Sequence, residues 1–371
     1  MHHRSGVANF EVYYKASEML MDGQDFYGVS LDGGEGYYKY APICTVAFIP
    51  FTFIPYGFAD AVYYFLVLAS FIVFTLFIIY WLEITLGVIP KSLGWLILLV
   101  NLFLVDHFER ELHLGNLNVF LHIGFFSVFV LLQKGRNVTA SILNGVLLLF
   151  QPWYALISIY FLIKGKIKHV LLSILFFAVG LILPIVFLGV EKNTELLQAW
   201  MDFYFHPNYL LADSPNTLYG IYNMWVLSPM GFHSSWSLVI SFQVLVALAI
   251  FVIDRWNKRF NRSPWSEFFE ISVVLALIPN LIHTDTEHFM WSWPLLVMIF
   301  LLLQQITTSA RIWWSILMTL IFIPFVVNSP DIVGRKWMLI FDEGGFLGFA
   351  NFLIVITGIV LFYMVGKKYA T

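Results

Sequence analysis

Two stretches of this chain, read as loops between apolar spans, set ionisable side chains at the membrane boundary: Asp106-His107-Phe108-Glu109-Arg110-Glu111-Leu112-His113 and Asp285-Thr286-Glu287-His288-Phe289. Charge at such a boundary is costly unless it is paired or used. A histidine beside a glutamate suits proton transfer or phosphate contact, and equally a solvated loop histidine. A third polar stretch comes earlier. Asn9-Phe10-Glu11-Val12-Tyr13-Tyr14-Lys15-Ala16-Ser17 has helical spacing and leads into Met21-Asp22-Gly23-Gln24-Asp25-Phe26-Tyr27, with Gly23 marking a helix end. Glu11, Tyr14 and Glu18 then share one helix face. Tyr38-Lys39-Tyr40-Ala41-Pro42 closes this segment, and everything after it reads as membrane. Residues 1–42 are therefore the largest polar surface a substrate can meet.

The elements that must position these groups follow from composition. The 371 residues are 60% hydrophobic and 12% charged, and the mean hydropathy is +0.81. Apolar runs of about 17 to 25 residues recur, the length that crosses a bilayer as a helix. The fold class is all-α, a polytopic membrane protein with ten to twelve membrane helices. Apolar spans read as 58–82, 93–106, 116–133, 138–163, 168–190, 236–254, 268–283, 288–306, 310–328 and 346–366. The run Ile43–Pro55 is too short to span and lies in the interface. The chain is read as one membrane domain: an outer loop and interfacial segment over 1–57, helices over 58–190, an outer loop over 191–235 and helices over 236–371. Net charge of -3 argues against a nucleic-acid partner. The one cysteine, Cys44, leaves no disulfide or cysteine metal site within the chain; no cofactor is expected and no metal ligand is assigned, and the sequence leaves a need for a divalent metal open.

The run 138–163 is interrupted by Gln151-Pro152 and has basic residues at both ends, so a single crossing would place one basic cluster outside. It is therefore expected as two short helices that enter and return, with Pro152 near the apex. With that hairpin, 13 of the 20 Lys and Arg fall on one face, which is assigned to the cytosol. About 19 of the 23 acids fall on the other face; most of that skew is loop solvation, and a site that needs carboxylates is the sharper reading. Residues 1–57 then lie outside, which leads to the expectation of a further membrane helix ahead of Met1. In the outer loop after 190, Leu196, Leu197, Trp200, Met201 and Tyr204 form the apolar stripe of an interfacial helix.

Several motifs occur in an order that resembles glycosyltransferase family 87, the type C, polyprenyl-phosphate-mannose-dependent enzymes. They are Asn9–Tyr14, Gly23-x-Asp25-x-Tyr27, Tyr38-x-Tyr40-x-Pro42, Gly115-Asn116-x-Asn118, the Pro152 break, Asn216-x-Leu218-x-Gly220 and Glu287-His288-Phe289. The chain departs from the family at Asn9, where an aspartate base is usual, and at Gln151, where a lysine is usual. The resemblance implies a hexosyltransferase, mannosyltransferase-like, that takes sugar from a polyprenyl-phosphate donor to a lipid-linked or glycan acceptor among the membrane lipids, with inversion, at the outer face of the cell membrane. It implies Glu11 or Asp25 as base, Arg110, His113, His288 and Lys39 as phosphate contacts, and Asn9, Tyr13, Tyr38, Tyr40, Asn116, Asn118, Asn216 and Glu287 as sugar or acceptor contacts. For each tyrosine the alternative is an interfacial aromatic belt. For the whole chain the alternative is a polyprenyl-lipid or glycolipid transporter or binding protein without chemistry. Spans nearly free of charge argue against the transporter.

Overall fold

The computed structural model describes residues 8–31, 36–86, 93–204, 214–231, 264–282, 285–326 and 333–365, with scattered positions between 241 and 255. Most of the expected span 236–254 thus lies outside the described residues. In chain order the helices are α1 (Ala8–Met21), α2 (Ile49–Thr52), α3 (Tyr56–Leu86), α4 (Leu93–Leu114), α5 (Asn118–Gln133), α6 (Asn137–Phe150), α7 (Ala155–Ile163), α8 (Ile167–Ile182), α9 (Ile185–Leu188) and α10 (Val190–Tyr204). They continue as α11 (Leu218–Tyr222), α12 (Pro264–Leu281), α13 (Trp293–Leu303), α14 (Thr308–Val326), α15 (Arg335–Glu343) and α16 (Phe346–Val365). No strand occurs among the described residues, so the protein is an all-α polytopic membrane protein.

Among the described residues five helices are long and apolar enough to cross a membrane: Tyr56–Ile84, Ile167–Leu188, Thr286–Leu303, Thr308–Val326 and Phe346–Val365. The pair α4 and α5, bent by 115°, makes a sixth if it is one span. The ten to twelve helices read from the apolar runs include 236–254, most of which lies outside the described residues. Among the described ones, Gln151-Pro152 leaves α6 with 14 residues and α7 with 9, and α12 carries Glu267, Glu270, Pro279 and Asn280 within its 18 residues. Phe58, Phe65, Ile72, Leu76 and Ile84 stand exposed along α3, as a lipid-facing surface requires.

The chain divides into two compact units, Met1–Phe77 with Arg110–Leu210, and Ile78–Glu109 with Leu211–Thr371. In the first, α6 and α8 pack closely. Ser141 Oγ lies 2.9 Å from His169 Nδ1, a Cβ on Gly145 would stand 2.8 Å from Ser173 O, and one on Gly180 would stand 2.3 Å from Leu149 Cδ1. The paired positions rise together along both helices, so α6 and α8 run parallel and α7 between them must return. Lys134 and Arg136 ahead of α6, Lys164 and Lys166 ahead of α8 and Lys168 in its first turn therefore lie at the same end. This is the expected hairpin, with Pro152 opening the 3-10 turn at its apex.

Helix α1 ends as its sequence predicts, with Gly23 at φ 69° and the Gln24 N–H donating to Met19 O at 2.8 Å. Its Phe10 is fully buried and stacks on Tyr63 with ring centroids 4.4 Å apart, which contributes about 1.5–3 kcal/mol as a buried phenylalanine. The Ile43–Pro55 run forms a 3-10 turn and the four-residue α2, and does not span. On α10 Leu196 and Trp200 of the expected stripe are buried, together with Asn193, which donates to Leu181 O at 3.1 Å, while Met201 is exposed.

In the second unit most of Thr286–Leu303 is buried, and a polar network ties its neighbours together. Asn280 Nδ2 donates to Asn216 O at 3.2 Å and to Gly348 O at 2.8 Å. Asn351 Nδ2 donates to Asn280 Oδ1 at 2.6 Å and to Ala276 O at 2.7 Å, and Ser292 Oγ donates to Asn351 Oδ1. Each buried amide is thereby used, which offsets the cost of removing it from water.

Candidate active site

The first unit gathers its polar side chains around Tyr38–Pro42, where four elements meet the strap. Tyr27 Oη donates to Tyr40 O at 2.6 Å, Trp200 Nε1 donates to Lys39 O at 3.1 Å, and the Ala41 N–H donates to Leu149 O at 3.0 Å at the end of α6. The Tyr13 and Tyr40 hydroxyls stand 3.0 Å apart. Asn9, one helical turn before Tyr13 on α1, donates its amide to Asn116 Oδ1. The tyrosine rings pack edge to face, Tyr38 and Tyr40 with centroids 5.7 Å apart, a favoured aromatic geometry. Burial pushes the Tyr38 and Tyr40 hydroxyls well above the ordinary tyrosine range, and Tyr13 and then Glu111 push Tyr40 further. Both are therefore neutral hydrogen-bonding groups at neutral pH. The Tyr38 hydroxyl is fully buried and has no hydrogen-bond partner among the described residues.

The segment read as a loop over Asp106–His113 is helical. Nothing between Leu93 and Leu114 breaks the helix until Gly115, whose φ of 68° ends α4 as its N–H donates to Glu111 O at 2.8 Å. The turn through Asn116 and Leu117 then starts α5. Glu111 is fully buried, and its carboxylate accepts from Asn118 Nδ2 at 2.9 Å and from the Val119 N–H at 3.1 Å. A carboxylate at a helix N-terminus satisfies donors that the helix leaves open. Glu111 is the residue sequence reasoning passed over: it was one acid among several in a supposed loop. Its spacing, four residues ahead of Gly115 and seven ahead of Asn118, is the available signal.

The remaining residues of the first unit are disposed as follows. Glu11 pairs with Lys15 at 2.6 Å; it lies two residues past Asn9, about 200° around the helix, away from the Asn9–Asn116 contact. Asp25 pairs with Lys192 at 2.6 Å with its side chain 68% exposed. Arg110 and His113 sit in the last turns of α4, where cations complement the helix dipole. Among the described residues Arg110 makes no ion pair with Glu109 or Glu111. Lys39 is exposed.

Asn216, Glu287 and His288 belong to the second unit. Asn216 Oδ1 accepts from the Gly348 N–H at 3.1 Å, and a Cβ on Gly348 would stand 1.9 Å from Asn216 O. The Asn216 motif thus braces α16: Thr217 caps α11 by accepting from the Gly220 N–H at 2.9 Å. Asp285 and His288 form a capping box at the 3-10 turn Thr286–Ser292. Together with the buried Glu287 they bring three ligand-type side chains within 4.8 Å of one another; the capping box gives two of them a structural role.

Comparison with curated proteins and with solved structures gives no match. The family model described as glycosyltransferase family 87 matches residues 38–278, from Tyr38 of the strap to Ile278 of α12. Tyr38, Tyr40, the Gly115 corner, the Pro152 break and the Asn216 motif lie inside the match, whereas Asn9–Tyr14 and Glu287-His288-Phe289 lie outside it. The match covers more than half of the chain, and the chain belongs to glycosyltransferase family 87.

Proposed function

We propose that this glycosyltransferase moves a hexose, mannose by the family resemblance, from a polyprenyl phosphate to a hydroxyl of a lipid-linked or glycan acceptor. The reaction takes place at the face opposite the basic hairpin ends, the outer face of the cell membrane. The observation that carries the reading is the cluster of neutral hydrogen-bonding groups, Asn9, Asn116, Tyr13, Tyr38 and Tyr40, that the first unit brings together. Such groups can both donate to and accept from sugar hydroxyls.

The acceptor oxygen attacks the anomeric carbon, the bond from that carbon to the phosphate oxygen breaks, and polyprenyl phosphate leaves. The acceptor proton passes to a carboxylate. Glu11 takes that role and Asp25 is second, an assignment that rests on the sequence, since Glu11 faces away from the Asn9–Asn116 contact. Each is held by a lysine pair at the surface, an arrangement that gives way at little cost, whereas the Glu111 carboxylate is engaged by two donors. Arg110, with His113 and Lys39, meets the phosphate, since a guanidinium offers a planar fork to its oxygens. Asn118 lies beside this cluster and acts through Glu111. The assignments of His288 to phosphate and of Glu287 and Asn216 to sugar or acceptor rest on motif order.

Asn9 favours a second reading, because an amide cannot accept the acceptor proton: a protein that binds the same lipid without turnover. Transfer assays on purified protein separate the two. Glu11→Gln is expected to lower turnover by more than about a hundredfold with donor binding kept. Near-normal turnover in both Glu11→Gln and Asp25→Asn removes the carboxylate base from this segment, and lipid binding with no turnover in the wild type selects the second reading.

A further inference from the structure

In the second unit a cavity of about 430 Å³ runs between α4, α13 and α14. Leu96, Leu99, Phe103 and Phe322 make its walls apolar, and Gln304 and Arg311 stand at one end. Its height in the membrane can be read from ring contacts. Phe103 meets Phe322 at 4.7 Å and His107 meets Phe325 at 4.7 Å, so α4 and α14 run parallel and Arg311 is level with the start of α4. That is the opposite end of the span Thr286–Leu303 from Glu287 and His288, and the cavity occupies only the half of the span near Arg311. At the same level Trp95 and Trp313 are 72% and 74% exposed, as tryptophans are at a headgroup boundary.

Arg311 is exposed, and its partners are neutral. Nε donates to Leu303 O at 2.9 Å, and Nη2 donates to Gln304 O at 3.0 Å and Ile306 O at 3.1 Å. Those three carbonyls close the end of α13 and fix the guanidinium in place without cancelling its charge. Among the described residues Arg311 has no carboxylate partner. A fixed cation at headgroup level, at the mouth of a groove lined mainly by apolar side chains, is complementary to an anionic lipid.

We propose that this groove is a binding site for an anionic glycerophospholipid of the leaflet at Arg311's end, with one acyl chain between α4 and α14 and the headgroup phosphate on Arg311. The site stands apart from the sugar-transfer reading and survives its failure. A basic pocket between membrane helices is a recognised setting for such headgroups.

The test is native mass spectrometry of the full chain exchanged into an equimolar mixture of phosphatidylglycerol and phosphatidylcholine. The wild type is expected to retain phosphatidylglycerol about fivefold over phosphatidylcholine. Arg311→Gln is expected to remove the preference and Arg311→Lys to keep most of it. Ser315→Phe, which narrows the groove and leaves Arg311 in place, is expected to lose the retained lipid. Equal retention of the two lipids by the wild type overturns the site, and so does an unchanged preference in either Arg311→Gln or Ser315→Phe.

Discussion

Glu111, near the end of α4, accepts a 2.9 Å hydrogen bond from Asn118 at the start of α5, so one buried carboxylate joins two helices that meet at a sharp corner. Glutamine at position 111 would turn an amide N–H toward the Asn118 or Val119 donor and leave one of them unmet. Glu111→Gln is expected to cost roughly 1–3 kcal/mol, read as a fall in Tm in detergent. Glu11→Gln, at a surface ion pair, is expected to leave stability within about 1 kcal/mol of the wild type. An unchanged Tm in Glu111→Gln would show that the carboxylate does not hold the corner.

Tyr38 and Tyr40 set an alkaline limit on stability. Their hydroxyls are raised by burial, so the folded state keeps both protons at pH values where the unfolded chain releases them. The sign follows: their contribution is complete below about pH 10, the ordinary tyrosine value, and is lost as pH rises above it. Thermal unfolding followed from pH 8 to pH 11 is expected to be level and then to fall. Tyr38→Phe should make that fall shallower, and an equal slope in the two proteins would contradict it.

The close approach of α16 to Asn216 predicts a contrast between two glycines. A methyl group on Gly348 meets backbone at 1.9 Å, while one on Gly180 meets the end of the Leu149 side chain at 2.3 Å, which can rotate away. Gly348→Ala is expected to destabilise by roughly 1–3 kcal/mol and Gly180→Ala by less. The order of the two Tm values checks this.

Much of this fold was legible because its signals are local. Gly23 stops α1 and Pro152 interrupts the hairpin, each by its own backbone preference. The Asp106–His113 segment was misjudged because charge was taken as a sign of loop, whereas helix length is decided by the first breaker, Gly115. The division of the chain, with residues 78–109 joining 211–371, depends on long-range packing that apolar runs of similar composition do not encode. The polar cluster was half legible. Asn9, Tyr13, Tyr40 and Asn116 were named from motif order, but the bracing role of Asn216 came only with Gly348, 132 residues away.

The return of α7 predicts a labelling pattern. Cys44 is buried, so single cysteines introduced elsewhere report against a quiet background. Cysteines at positions 134 and 166 are expected to react with a membrane-impermeant maleimide from one side of the membrane, and a cysteine at 113 from the other. Reaction of 134 and 166 from opposite sides would make α6 and α7 a single crossing.

The most direct test of the central claim is the choice of donor. Purified protein in detergent is offered, in parallel, a hexose on a polyprenyl phosphate and the same hexose on a nucleoside diphosphate, with membrane lipid extract as acceptor and mass spectrometry of the lipid products. The predicted result is a hexose added to an acceptor from the polyprenyl phosphate, release of free polyprenyl phosphate, and a product lowered more than about a hundredfold by Glu11→Gln. Transfer from the nucleotide sugar alone, or no transfer from any polyprenyl-phosphate hexose, would contradict it.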